Sequence, residues 1–205
     1  MADAVRKRGR PRMLDRETGL AVASRLFWKH GYEGTSIADL TKAMGITPPS
    51  LYAIFGSKEE LYRQVLDYNV EQESSRRVAA LRDTKSAYDA LAFYLYDAAE
   101  GVTQPEKPRG CMISTAALQH AEENEAVAMD LCRRREASIR CMKDRFDQAV
   151  QDGDLPASAD TEALAHFYSA VVQGMSAQAC DGACTALLRR MVDVALQAWP
   201  GKRPS

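Results

Sequence analysis

The chain has 205 residues, 46% hydrophobic and 27% charged, enough to bury a real core as one domain or two small ones. No run approaches the ~20 apolar residues of a spanning helix, and no apolar stretch follows the basic N-terminus, so the expectation is a cytoplasmic protein, neither inserted nor secreted. The net charge of −1 hides an asymmetry: residues 1–58 hold ten Lys or Arg against five Asp or Glu, the remainder seventeen against twenty-three. A basic front end suits nucleic acid through counterion release, while the acidic bulk would stay off the duplex.

Residues 1–14 read as a basic arm. The run Arg6-Lys7-Arg8-Gly9-Arg10-Pro11-Arg12 is too charged and too broken to fold alone, and Arg8, Arg10 and Arg12 suit an A·T-rich minor groove. Asp15 caps a first helix in which Leu20, Ala23, Leu26 and Phe27 keep helical spacing, closed by Gly31. The next stretch, residues 35–58, TSIADLTKAMGITPPSLYAIFGSK, reads as a helix-turn-helix. Ile37, Leu40 and Met44 lie on one helical face, Thr35 and Ser36 can both cap it, and Asp39 follows Ser36 by three as in a capping box. Gly45 stops that helix. Thr47 caps the second, with Pro48 in its first turn, where a missing N–H loses nothing. Leu51 and Phe55 face inward, leaving Ser50, Tyr52 and Ala53 to face the major groove. Ser57 and Glu60 form another capping box, so a new helix begins at Lys58.

Gly31-Tyr32, Thr35-Ser36-Ile37, Ala43-x-Gly45-Ile46, Leu51-Tyr52-x-x-Phe55 and Ser57-Lys58-Glu59-x-Leu61 together resemble the TetR family of bacterial transcriptional repressors over about the first third of the chain. The resemblance implies DNA contacts from Thr47, Ser50 and Tyr52, and a phosphate contact from Lys58. Thr35, Ser36, Pro48 and Pro49 are expected on the same DNA-binding surface. Many family members carry a lysine-glycine pair where this chain has Pro48-Pro49, and an aromatic or histidine pair where it has Ala53-Ile54.

From Lys58 a long helix is expected through Leu61, Val65, Leu66, Tyr68 and Val70 to Val78 and Leu81. Ala87, Leu91, Tyr94, Leu95 and Ala98 mark the next, ended by Gly101, with a proline-containing loop over 103–108. Residues 110–121 are apolar and small, and Cys111 reads as the first turn of a helix. Asn124 to Val150 is a long amphipathic helix. Further helices run from Asp160 or Thr161 to about Cys180, and from about Ala183 to Trp199, where Pro200-Gly201 stops the last. No stretch has strand period. The expected fold is all-α: a three-helix DNA-binding domain over residues 15–58, a larger helical effector-binding and dimerisation domain over 59–199, and a tail over 200–205.

The middle helices offer Phe93, Tyr96, Cys111, Met112, Thr115, Phe167, Tyr168 and Met175 as walls for a small, mostly apolar effector, although such residues suit plain core as well. Ala170, Gly174 and Ala177 on one helix, with Leu187, Leu188, Met191 and Val194 on the next, either fill the chain's own core or, as the resemblance implies, build a four-helix interface in a homodimer. Such a dimer would read a palindromic operator in double-stranded DNA. Five cysteines outside any secreted framework read as free thiols. Cys111, after Arg109 and at a helix start, would be favoured as thiolate, which opens a redox or electrophile sensor, or a thiol enzyme, as alternatives. His30, His120 and His166 have no metal-type spacing, and neither metal nor cofactor is expected. The expectation is a ligand-released repressor, not an enzyme.

Overall fold

In the computed structural model, which describes residues 14–118 and 120–203, helices account for most of the described chain and no strand occurs among those residues. Three short helices come first: α1 (Arg16–His30), α2 (Ile37–Met44) and α3 (Pro48–Phe55). α4 (Lys58–Asn69) runs through a π-helical turn, Val70–Ser74, into α5 (Ser75–Asp83), so the expected long helix carries a register break in its middle. Next come α6 (Ala87–Gly101), α7 (Glu125–Gln151), α8 (Thr161–Cys180) and α9 (Thr185–Leu196). The basic arm with Arg8, Arg10 and Arg12 lies outside the described residues.

Two apolar cores result. The first gathers Leu20, Ala23 and Phe27 of α1, Leu40 and Met44 of α2, Leu51 and Phe55 of α3, and Leu61, Tyr62, Val65 and Leu66 of α4. α4 therefore belongs to the core of the N-terminal helical unit as much as to the second domain. The second core is built from α5 to α9, with Leu91, Leu95, Phe146, Tyr168 and Val192 at its centre. Phe146 meets Tyr168 and Trp199 edge to face at 6.0 and 5.4 Å.

The segment after Gly110 departs from the helix expected there. Its described residues form turns, with Ala117 at φ 49°, and only a short 3-10 turn, Glu122–Asn124, precedes α7. The cause lies far along the chain: Arg135 of α7 donates to the carbonyls of Ile113 at 2.9 Å and Ala116 at 3.2 Å, so those acceptors need no helical partner. The segment joins the two cores. Cys111 packs against the second, whereas Met112, 5% exposed, enters the first beside Val127 and Leu131 of α7. Polar ties reinforce the joint: Arg134 of α7 pairs with Asp130 on its own helix and with Asp67 of α4, and Glu33 accepts from Ala121 N and Asn124 Nδ2.

Candidate nucleic-acid interface

The α2–α3 unit is held by its ends. Ser36 Oγ accepts from Asp39 N while Asp39 accepts from Ser36 N at 3.0 Å, completing the capping box. Gly45 ends α2 at φ 67° and ψ 31°, a left-handed setting that a side chain would resist. Thr47 Oγ1 caps α3, accepting from Ser50 N, and Pro48 and Pro49 occupy the first turn. α3 packs by Leu51 and Phe55, which are 0% and 2% exposed. Phe55 in turn rests on α1 at Gly19, where an added Cβ would stand 2.5 Å from the ring.

What α3 leaves outward is Pro48, Pro49, Tyr52 and Ala53, all exposed, with Ser50 half-buried. Thr47 and Ser50 share a hydroxyl–hydroxyl bond of 2.9 Å, so they present one donor–acceptor pair on the helix's leading edge. Tyr52 is 49% exposed, a large side chain with no reason from packing to point outward. Ser57 and Glu60 then form the second capping box, which starts α4 with Lys58 in its first turn. Lys58 Nζ lies 4.3 Å above the Tyr32 ring centroid. Partial burial pulls the Lys58 pKa down from its ordinary value, with Glu33 pulling the other way.

Not every residue expected at this surface is on it. Thr35 is fully buried: its hydroxyl donates to the Gly31 carbonyl at 2.8 Å and ties α1's end to α2, which withdraws it from any DNA contact. Ser36 is exposed, but its side chain is engaged by Asp39. Lys42, which the sequence did not single out, is exposed in the last turn of α2 just before the turn into α3. Its only signal in the sequence is a lone cation on the polar face of an amphipathic helix.

The residues expected to line one effector pocket are dispersed. Tyr168 and Met175 are fully buried in the second core, and Met112 fills the first. Phe93 and Phe167 are 41% and 42% exposed, the Tyr96 hydroxyl donates to Asp193 of α9, and the Thr115 hydroxyl donates to the Cys111 carbonyl. An opening of about 310 Å³ lies elsewhere, between α5 and α7, lined by Val78, Leu81, Cys141 and Arg145 among others. Cys111 has no helix start beneath it, and the Arg109 guanidinium donates to Ala183 O at 2.8 Å. Burial raises the Cys141 and Cys180 thiols above their usual pKa.

On α8 and α9 a shallow apolar groove of about 620 Å³ opens to the outside, lined by Phe167, Ala170, Gly174, Leu187, Met191 and Val194 among others. Val194 is 66% exposed. Leu188 points the other way: it is fully buried in the chain's own core, one helical step off the open face. Ala177 is exposed further along α8.

Comparison with known proteins gives the same division. Residues 20–65 match the family described as bacterial regulatory proteins, tetR family, and residues 87–194 match the tetracyclin repressor-like C-terminal domain. The HTH-type transcriptional repressor ComR of Escherichia coli (strain K12) is 35% identical over 196 residues, 95% of this chain and 93% of that protein. The HTH-type transcriptional repressor BdcR of the same organism is 32% identical over 174 residues, 85% of this chain and 83% of that one. A cysteine mutant of the TetR family transcriptional regulator CifR, complexed with 26-bp double-strand operator DNA, is similar in structure, with a TM-score of 0.89 and 44% identity over 93% of this chain and 100% of that one.

Proposed function

Because the chain belongs to the TetR family of bacterial regulatory proteins, we propose that it acts as a homodimeric repressor, released from a palindromic operator by a small, mostly apolar effector. The observation that carries this reading is the outward face of α3. It holds two hydroxyls and an exposed tyrosine on a proline-led helix, and Lys58 follows at the head of α4. Thr47, Ser50, Pro48 and Pro49 meet base edges or phosphates, Tyr52 and Lys58 hold the phosphate backbone, and Ser36 and Lys42 flank them. Arg8, Arg10 and Arg12 add minor-groove affinity.

The α8–α9 groove supports the dimer, since an open apolar face of this kind is what a two-fold partner covers. The opening between α5 and α7 is the better seat for the effector than the residues expected from sequence, because Val78 and Leu81 supply apolar wall at one mouth. Effector binding there would favour a setting of the two DNA-reading units that mismatches the operator. The thiol alternative through Cys111 has lost the helix start that motivated it.

Duplexes selected from a random pool by the purified chain test the whole reading. Enriched sequences should show inverted half-sites about one or more helical turns apart. Enrichment of single, unrepeated sites would remove the palindrome, and no enrichment at low salt would remove the repressor.

A further inference from the structure

The C-terminal end of α3 is held by a polar relay that lies outside the DNA-reading face. Phe55 is the last residue of α3, so no later N–H of that helix reaches its carbonyl. Gln64 of α4 supplies the partner, its Nε2 donating to Phe55 O at 2.9 Å. Gln64 Oε1 in turn accepts from the Arg16 guanidinium, in the first turn of α1, at 2.6 Å. Gly19, also on α1, meets the Phe55 ring. Both ends of Phe55 therefore answer to α1, the ring directly and the carbonyl through Gln64.

The chemistry at position 64 is exacting. A carbonyl oxygen can only accept and a guanidinium can only donate, so the side chain between them must carry a donor and an acceptor side by side. The same two neighbours fix which way round the Gln64 amide lies. A glutamate there has no donor at neutral pH, a lysine or arginine has no acceptor, and a methionine offers no donor.

α3 needs such a tie because its packing is one-sided. Leu51 and Phe55 are its buried residues, and the helix has eight residues. At its ordinary rise it is about 12 Å long, so a swing of about 10° about Leu51 moves each end by about 1 Å. Hydrogen bonds to base edges weaken over such a shift, whereas contacts to phosphates carry no sequence information to lose.

We infer that Gln64 is a positioning residue for base readout: without touching DNA, and held by Arg16, it sets the angle of α3 and so the discrimination between the operator and other duplexes. The role rests on α3 being the base-reading helix, as proposed above. Non-specific affinity, which comes from phosphate contacts, lies outside its reach.

The readout is the ratio of the full-length protein's affinities for its selected duplex and for a random-sequence duplex of equal length, by fluorescence anisotropy at one salt concentration. Gln64→Met should lower that ratio about tenfold and leave random-duplex affinity unchanged. Gln64→Glu keeps the Arg16 contact but lacks the donor, and should lower the ratio as much. Arg16→Met should lower it less, and adding Arg16→Met to Gln64→Met should lower it no further, because both act through one contact. Leu155→Ala, in the second core, controls for lost stability and should leave the ratio unchanged. A ratio that holds in Gln64→Met, a fall matched by Leu155→Ala, or additive losses with Arg16→Met would each overturn the relay. An equal fall for both duplexes reassigns Gln64 to the phosphate contacts and overturns it too. An unmodified chain that prefers no duplex removes the base-reading role of α3 itself, a result seen before any variant is made.

Discussion

Lys58 can be placed by its supports. Its backbone sits in the first turn of α4, where the Ser57–Glu60 box fixes the helix start, and its ammonium is held 4.3 Å over Tyr32. A cation held this way loses less freedom when it meets a phosphate. Lys58→Ala is therefore expected to weaken binding to all duplexes alike and to lower the salt slope of log K by about 1, read by fluorescence anisotropy across salt concentrations. Loss confined to one base position would reassign Lys58 to base readout. Tyr32→Leu should give a smaller, equally sequence-blind loss. Gly19 is a residue of a different kind, required by contact: a Cβ there would press on the Phe55 ring at 2.5 Å. Gly19→Ala should destabilise the chain by about 1–3 kcal/mol, the usual range for overpacking, measured as a lower urea midpoint. An unchanged midpoint would show that Phe55 and α3 shift freely.

At the scale of elements, the two capping boxes make the DNA-reading unit sensitive to acid. Hydrogen bonds from Ser36 hold the Asp39 pKa below the ordinary carboxylate range, and hydrogen bonds from Ser57 do the same for Glu60. A lowered folded-state pKa contributes stability that is full above the unfolded value and fades as pH falls through the folded one. Asp39→Asn and Glu60→Gln should thus each cost stability at neutral pH and cost progressively less on acidification below the ordinary carboxylate range, followed by urea unfolding at several pH values. A cost independent of pH would mean that the carboxylates act only by shape. These boxes also show why the DNA-reading unit is legible in sequence: caps, Gly45, Pro48 and the Leu51–Phe55 spacing all act within a few residues. The 110–121 segment has a helical look in sequence because the group that satisfies its carbonyls, Arg135, lies about twenty residues away. Thr35 looks like a cap because a hydroxyl just before a helix reads the same whether it faces the helix's first N–H groups or, as here, turns back to the Gly31 carbonyl. Leu188 shares the period of the α9 stripe, but only packing against α6 and α8 tells the buried edge of that stripe from the open one. The scattered pocket residues escape for the same reason, since hydrophobic period marks burial and carries no information on cavities.

At the scale of the whole molecule, the DNA-reading unit does not hang from a flexible linker. Met112, Val127 and Leu131 complete its core, and Arg134 and Glu33 tie its edge to α4, α7 and the chain before α7, so its position is set by that of the second domain. Two such units in a dimer would then stand at a separation set by whatever joins the second domains. The α8–α9 groove is the surface proposed for this, and Val194 is its most exposed large apolar side chain. A carboxylate at that position would have to be desolvated on pairing, even with Arg190 one turn back on the same groove wall, which costs more than the apolar contact it replaces. Val194→Asp should therefore sediment as a single chain at concentrations where the unmodified protein sediments as a pair. With the second unit no longer delivered alongside the first, affinity for a two-half-site duplex should fall by roughly 10²- to 10⁴-fold, while affinity for a lone half-site stays unchanged. Met129→Asp, on an exposed apolar residue of α7 outside the groove, should leave both properties intact. If Val194→Asp still pairs, the subunits meet through another face, and the half-site spacing must be derived from that face instead.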